Sequence, residues 1–487
     1  MEKKEDHHVL DIVGSLAQEL RVELAAAGMN SSTTELVGGG DGQSASPVIV
    51  VDRVNDSTRN VDPPEYVPQF VSIGPWHRSA KLAQDDSTKV RALHDVLSAA
   101  AAAANGAPMG LDDYIAALGH LEPAARRFYV HSFCITSKEF VRMLLLDGCY
   151  ILVRFGDIIP RRAAAVANGL VAPPSVERKE SGGGVSRLEA VAVVRDVFYL
   201  AENQIPFFVV DKIHQLTFLD GKTPAVDAIA KYAHELLRRS QYSIATPMIV
   251  APPARRPEPA NLLHLLHMHF KPTVLASPYP KSGRGVGGRP VRRWRTATEY
   301  SSAGVTFKRR DLDDNNGDAR CILDVNVDRR GGRLHVPRLN IDAETWRLLR
   351  NLMALEQHNP EAAGSHVTAY CVFMSQLACT TRDVELLSRR GIIAHGLGNH
   401  DEVAGHFANL CKGVVFDLDD PARNYLRPAC QALDRRFRSR PGRWMAWLKR
   451  KYFINPWLAA GLVAAAIGLV CTVIQAVYSV LSYQRGN

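Results

Sequence analysis

The sequence lacks most of the features that announce a reaction. Its 487 residues hold eight cysteines and no CxxC pair, too few for a disulfide-stapled domain or a zinc ribbon. There is no GxxxxGK[ST] phosphate loop, GxSxG elbow, HExxH pair or HRD loop. The usual marks of P-loop NTPases, α/β-hydrolases, zincins and protein kinases are therefore missing. The N-terminus, from Met1 to Leu10, is charged from Glu2 onward and has no apolar core, so no secretory leader is expected. No repeat of fixed period is visible. Hydrophobic residues at 46% and charged residues at 22% are ordinary for a globular chain, which excludes a wholly disordered, collagen-like or coiled-coil protein. The length admits two domains or one large one.

Charge is concentrated rather than absent. Lys281–Arg310 holds nine Lys/Arg and one Glu, and Arg435–Lys451 holds eight Lys/Arg and no acid. Each segment is therefore net +8 against a total of +9, which leaves −7 for the rest of the chain. The protein is a slightly acidic body with two basic segments, not a uniformly basic one.

The second basic segment adjoins the one long uncharged stretch. From Trp457 to Tyr483 there is no formal charge, and Gln475 is the only strongly polar side chain. About 20 apolar residues suffice to cross a bilayer core, so a transmembrane helix is expected here. Tyr452, Phe453 and Trp457 at one edge and Tyr478 and Tyr483 near the other suit an aromatic belt. Basic residues precede the span and only Arg485 follows it, which predicts a cytosolic body and an outward tail, residues 484–487. Insertion is then expected after translation, as for a tail anchor. Membrane lipid contacting Trp457–Tyr483 is the expected partner; plasma membrane and endoplasmic reticulum are not distinguished.

Along the chain, residues 1–46 form an N-terminal extension. It carries one helix pattern near Val9–Ala27, with Leu10, Val13, Leu16, Leu20 and Leu24 on one face, followed by a glycine-rich linker. Residues 47–434 read as the main domain, 435–456 as a basic juxtamembrane segment and 457–483 as the span. Val48–Val51 suits a short strand. Residues 85–104, 187–200, 343–357 and 366–378 read as helices, and another begins at Thr381 with Thr381 as a candidate N-cap. Residues 137–155 read as a buried helix, or as a helix pair broken at Asp147-Gly148. Short strand patterns lie at 304–307, 322–327 and 333–337. Residues 161–185 and 278–295 are polar, Gly/Pro-rich loops. The fold class predicted is mainly α with a small β element (α+β).

Candidate chemistry is thin. His264, His267 and His269 cluster, but the leucines between them favour a core edge over a metal site. His400 and His406 are six apart and turn to different faces, while Asp401 and Glu402 suit a helix N-terminus. Buried free thiols are expected at Cys134, Cys149 and Cys411. The glycines from Gly283 to Gly288 lack the strand–helix context of a dinucleotide loop. No cofactor, metal or nucleic-acid partner is expected.

Several strings taken together resemble a known family. They are Val67-Pro68 with Ser72-Ile73-Gly74-Pro75-Trp76-His77; the run from Phe140 to Asp147-Gly148-Cys149-Tyr150; Glu202-Asn203-Gln204-Ile205-Pro206-Phe207-Phe208; Arg350-Asn351-Leu352 with Ala354-Leu355-Glu356-Gln357; Asp383-Val384 with Gly391-Ile392-Ile393; and Tyr452-Phe453 with Pro456-Trp457. In this order they resemble the plant "domain of unknown function 247" family, from about residue 48 to the C-terminus. The resemblance implies a membrane-anchored plant protein with no assigned chemistry. Some grass members of that family are associated with pollen–stigma self-incompatibility.

The same residues have physical readings. Gly74-Pro75 is a turn that Trp76-His77 can cover, and Asp147-Gly148 reads as a helix stop. Glu202, Asn203 and Gln204 sit at the lip of an apolar run, where a buried hydrogen-bond network is expected. The functional alternative is a pocket of His77, Glu202, Gln204 and Glu356, with Asn203 beside it and a buried glutamate of raised pKa as acid or base. Two readings follow: a recognition or signalling module with an unidentified protein partner, or a membrane-tethered hydrolase of unrecognised type. Convergence of titratable groups in one pocket would favour the second.

Overall fold

The computed structural model describes residues 2–26, 49–78, 82, 86–103, 109–158, 187–218, 225–246, 258–273, 293–313, 319–328, 330–439 and 456–485. The linker after Ala26, most of loops 161–185 and 278–295, the glycines at 283–288 and most of the basic segment before the C-terminal helix lie outside these residues.

Helix α1 (Glu2–Ala26) buries Leu16, Leu20 and Leu24 of the expected stripe, joined by Val9 and Ile12, while the Leu10 side chain lies outside the described residues. Val13 is partly buried. It leads through α2 (Asp56–Arg59) and a 3₁₀ turn at Pro63–Tyr66 to α3 (Asp86–Ala103), α4 (Leu111–Arg127) and α5 (Ser137–Phe155). Thr136 caps α5 by accepting from the Glu139 N–H at 3.3 Å, and Glu139 reaches back to the Thr136 N–H, a capping box. Helix α6 (Arg187–Phe198) touches α5 where Phe198 meets Phe155, α7 (Phe207–Thr217) and α8 (Ala225–Arg239) pack against α5, and α9 (Leu262–His267) follows.

The break expected at Asp147-Gly148 does not occur. Helix α5 runs through both residues because each solves a packing problem. A Cβ on Gly148 would stand 2.4 Å from Ile213 Cδ1, so glycine lets α7 approach, and Asp147 turns its carboxylate to partners outside the helix.

The second half holds α10 (Ala297–Ser302) and the strands β1 (Thr306–Arg310), β2 (Asn326–Val327), β3 (Arg333–Pro337) and β4 (Leu339–Ile341). Helices α11 (Thr345–His358), α12 (Pro360–Ala363), α13 (His366–Leu377) and α14 (Thr381–Arg389) come next, then β5 (Ile393–His395), α15 (His400–Leu410) and α16 (Arg427–Arg438). β3 pairs parallel with β1 and antiparallel with β2; β4 pairs parallel with β5, Leu339 opposite Ile393. Of the strand expected at Val48–Val51, the described residues 49–51 form an isolated bridge, Val51 with Tyr129. The N-cap of α14 is Thr380, one residue before the expected Thr381, because its hydroxyl faces the Asp383 N–H. The described residues are thus mainly helical with few strands. One apolar core runs from α1 to α16.

The uncharged C-terminal stretch is helical, α17 (Pro456–Arg485), 30 residues long. The apolar side chains described in it face outward, with Val463 54% and Leu469 68% exposed. Among the described residues no helix is long and apolar enough to cross a membrane; the side chains described in α17 run unbroken only over 463–479.

Candidate functional site

The site begins where α6 ends. Residues Leu200–Gln204 are neither helix nor strand, and Pro206 starts α7. A proline there supplies the fixed φ of a helix entry and has no N–H to satisfy. Within this turn Glu202, Asn203 and Gln204 are all at most 2% exposed. Buried polar groups of this kind must find partners.

Each finds them in a different segment. Glu202 Oε1 accepts from the Val54 N–H at 2.7 Å and from the Arg59 guanidinium. His77 Nε2 lies 3.3 Å from Oε2, near enough for a charge contact but not aligned as a hydrogen bond. Asn203 Oδ1 accepts from the Ile73 N–H at 2.7 Å, and its Nδ2 donates to Val71 and Asp196 carbonyls. Gln204 Oε1 accepts from the Leu262 and Leu263 N–H groups at the start of α9, while Nε2 donates to the Val197 and Leu200 carbonyls.

Glu356 is placed apart from this turn. Its Oε1 accepts from the Val367 N–H at 2.9 Å and meets His267 Nε2 at 2.8 Å; its Oε2 accepts from the N–H and hydroxyl of Thr368, both at 2.7 Å. It therefore serves as a cap for α13. Among the described hydrogen bonds and ion pairs, none joins Glu356 or Gln204 to the His77–Glu202 pair. The four residues of the alternative pocket divide into a Glu202–His77–Arg59 group, a Gln204 bridge to α9 and a Glu356 cap.

The raised glutamate pKa that belongs to the pocket alternative is absent at Glu202. Burial pushes it upward, yet His77, the Arg59 guanidinium and the Val54 N–H together hold it below the ordinary value. Glu202 is therefore an anion at neutral pH, suited to orienting His77 and Arg59 rather than to donating a proton. Raised carboxyls lie elsewhere. Burial lifts Asp147 and Asp196 despite favourable contacts. Asp147 bonds the Lys89 ammonium at 2.6 Å and the Gly74 N–H at 2.8 Å. Asp196 Oδ2 accepts from the Gln69, Phe70 and Val71 N–H groups at 3.0, 2.6 and 3.1 Å.

Sequence reasoning missed Lys89, Asp147 and Asp196 as network members. A signal existed: Lys89 shares its stripe with Leu93 and Val96, and Asp147 is the one charge in an apolar run. A charge on a buried face implies a buried partner. A cleft of about 90 Å³ opens beside this pair, lined by Ser72, Arg78, Asp86, Lys89, Arg142 and Asp147 among others. Its charges largely answer one another, Lys89 to Asp147 and Arg142 to Asp86.

The other candidates disperse as well. His264 Nδ1 accepts from the Ala260 N–H, His269 Nδ1 bonds the Leu265 carbonyl, and burial lowers both pKa values, to about 3 and about 4. His406 stacks on Trp346 while His400 meets His395 at 2.8 Å, and Asn399 caps α15 ahead of Asp401 and Glu402. Among the described residues no group of three or more His, Cys, Asp or Glu is placed to hold a metal ion. Cys149 is buried as expected, but Cys134 is exposed and Cys411 half-buried, because Cys134 sits in the segment leading to α5 rather than within a helix face.

A family profile, DUF247, described as "Plant protein of unknown function", matches residues 51–471. The "UPF0481 protein At3g47200" of Arabidopsis thaliana is 25% identical over 455 residues, 89% of this chain and 87% of that protein. The "Putative UPF0481 protein At3g02645" of the same plant is 26% identical over 158 residues, 32% of this chain and 28% of that protein. No solved structure matches.

Proposed function

The chain belongs to the DUF247 family of plant proteins of unknown function, and from that membership and the site we propose that it is a recognition or signalling module held at a membrane by α17. The observation that carries this reading is where the motif side chains are spent. Glu202, Asn203, Gln204, Asn351 and Glu356 each bond main-chain groups of other segments. Such a network makes a rigid body, and specificity then falls to the segments that leave it. Residues 161–185 and 278–295 are the polar, Gly/Pro-rich segments of the sequence, and the second is basic. An acidic protein surface suits it, with binding that weakens as salt rises. Recognition of the self-incompatibility kind, as in the grass members, is the finer form of this reading.

Membrane attachment rests on two supports. The run 457–483 carries no formal charge, and its length exceeds the about 20 apolar residues that a crossing needs. The basic residues before it orient the body to the cytosol.

Two experiments test the reading. The full chain should stay with membranes through a carbonate wash, and Leu469→Arg should cost about 2.5–3.5 kcal/mol of insertion; release by carbonate would refute the anchor. Exchanging 161–185 and 278–295 between two family members should exchange partner preference with the fold intact. If His77→Ala and Glu202→Gln instead abolished a turnover by the purified chain while loop exchange did nothing, the tethered-hydrolase reading would replace this one.

A further inference from the structure

Helix α1 is attached to the body in an unusual way. It lies outside the family match, which begins at residue 51, and 22 residues, 27–48, separate it from the next described residue. It nevertheless fills a groove built by family helices, packing against α3, α4 and α5. Leu16 and Leu20 are fully buried there, with Ile12, Ala17 and Leu24 nearly so. On α4, a Cβ added to Gly119 would stand 3.2 Å from Val9 Cγ1, so the groove is notched for this helix.

The seam is electrostatic and open to solvent. Glu19 meets Lys138 at 2.5 Å, and Glu23 meets Arg142 at 2.9 Å. These carboxylates are one turn apart and face one basic rim on α5. On the other side Arg21 pairs with Asp112 of α4. The groove thus reads three features in a helix: an apolar stripe at i, i+4 and i+8, two acids one turn apart, and a base between them. That is helix-in-groove recognition.

We propose that the α3–α5 groove is a docking site for an acidic amphipathic helix, and that α1 is its tethered, displaceable occupant. The 22-residue connection reaches up to about 70 Å when extended, at about 3.3 Å per residue, so release does not require the body to unfold. Tethering sets the threshold for a competitor. A covalent link of this length holds α1 at an effective concentration near the millimolar range, so an outside helix of the same pattern binds only when its local concentration rivals this or when α1 is withdrawn. This surface is separate from the loops, and neither proposal needs the other.

The test uses the full chain in detergent micelles with a protease site placed between Gly38 and Gly40, and a fluorescent peptide of residues 2–26 as probe. After cleavage the peptide should exchange into the groove one to one, and the uncut chain should bind it at least about a hundredfold more weakly. Lys138→Glu in the cut chain should weaken the peptide several-fold, and a Glu19→Lys peptide should recover the loss. Three results would overturn the proposal: no exchange after cleavage, equal binding by cut and uncut chains, or loss of the helical circular dichroism of the body when α1 leaves. The last would make α1 an ordinary part of the core.

Discussion

Replacing Glu202 with Gln separates its charge from its shape. Glutamine keeps an oxygen for the Val54 N–H and Arg59, and its amide can face His77. What disappears is the negative charge between a guanidinium that is 16% exposed and a histidine that is 12% exposed. Charged hydrogen bonds contribute about 1.5–3 kcal/mol and neutral ones about 0.5–1.5. With the Arg59 charge left partly uncompensated, Glu202→Gln should cost about 2 kcal/mol at pH 7, and Glu202→Ala, which removes every acceptor, about 4.

The pH dependence fixes the sign. The folded-state pKa of Glu202 lies below its ordinary value of 4.5, so its stabilisation is fully present above 4.5 and is lost as pH falls through the folded value. The gap between wild type and Glu202→Gln should therefore be widest near neutrality and close in acid. Urea unfolding followed by far-ultraviolet circular dichroism at pH 7, 5 and 3.5 measures it. A gap that is constant with pH, or that widens in acid, would refute the assignment of Glu202 as a structural anion.

Further outcomes follow from the same geometry. Gly74 has φ +77°, and a Cβ there would stand 2.5 Å from the Gln204 carbonyl oxygen, so Gly74→Ala should lose about 3 kcal/mol or more, read as a lowered thermal midpoint. Gly148→Ala meets only a methyl, Ile213 Cδ1; alone it should cost about 1–3 kcal/mol, and combined with Ile213→Val, which removes that methyl, the double variant should be no less stable than Ile213→Val alone. Simple additivity of the two losses would sink that account. Lys89→Met leaves Asp147 buried without its cation, so the already raised pKa of Asp147 should rise further. Stability from a raised carboxyl is lost as pH increases through its folded value, so this variant should be weakest at neutral pH and gain stability in acid, whereas the Glu202→Gln gap closes in acid because the wild type weakens.

What the sequence made legible was local. The apolar periodicities of α3, α5, α11 and α13 fall within a few residues of their expected bounds, since each helix buries a continuous stripe. β3 matches its expectation at 333–337, while β1 is shifted to Thr306–Arg310, because the run Lys308-Arg309-Arg310 has no apolar alternation and pairs instead through its backbone with β3. Pairing of β4 with β5 was not legible, as α11 to α14 separate them. Nor was the partner of any buried polar residue. Glu356 looks the same on paper whether it lines a pocket with Glu202 or caps α13, and only the tertiary fold chooses.

Four of the six strings that carry the family resemblance meet one another. The 72–77 string meets the second through the Gly74 N–H to Asp147, and the third through the Ile73 N–H to Asn203 and His77 to Glu202. The third turn meets the fourth string where the Ala201 N–H donates to Asn351 Oδ1 at 2.9 Å. Asn351 then reaches the Glu65 carbonyl just ahead of Val67-Pro68. Segments nearly 300 residues apart thus close one ring of side-chain hydrogen bonds to main-chain groups. An unsatisfied group anywhere in such a ring costs about 1–3 kcal/mol, so replacing one member strands its partners. The strings mark a fold because the fold needs them together. A ring that spends its side chains on its own backbone has few left for a ligand, which directs the search for a partner to the segments and the groove outside it.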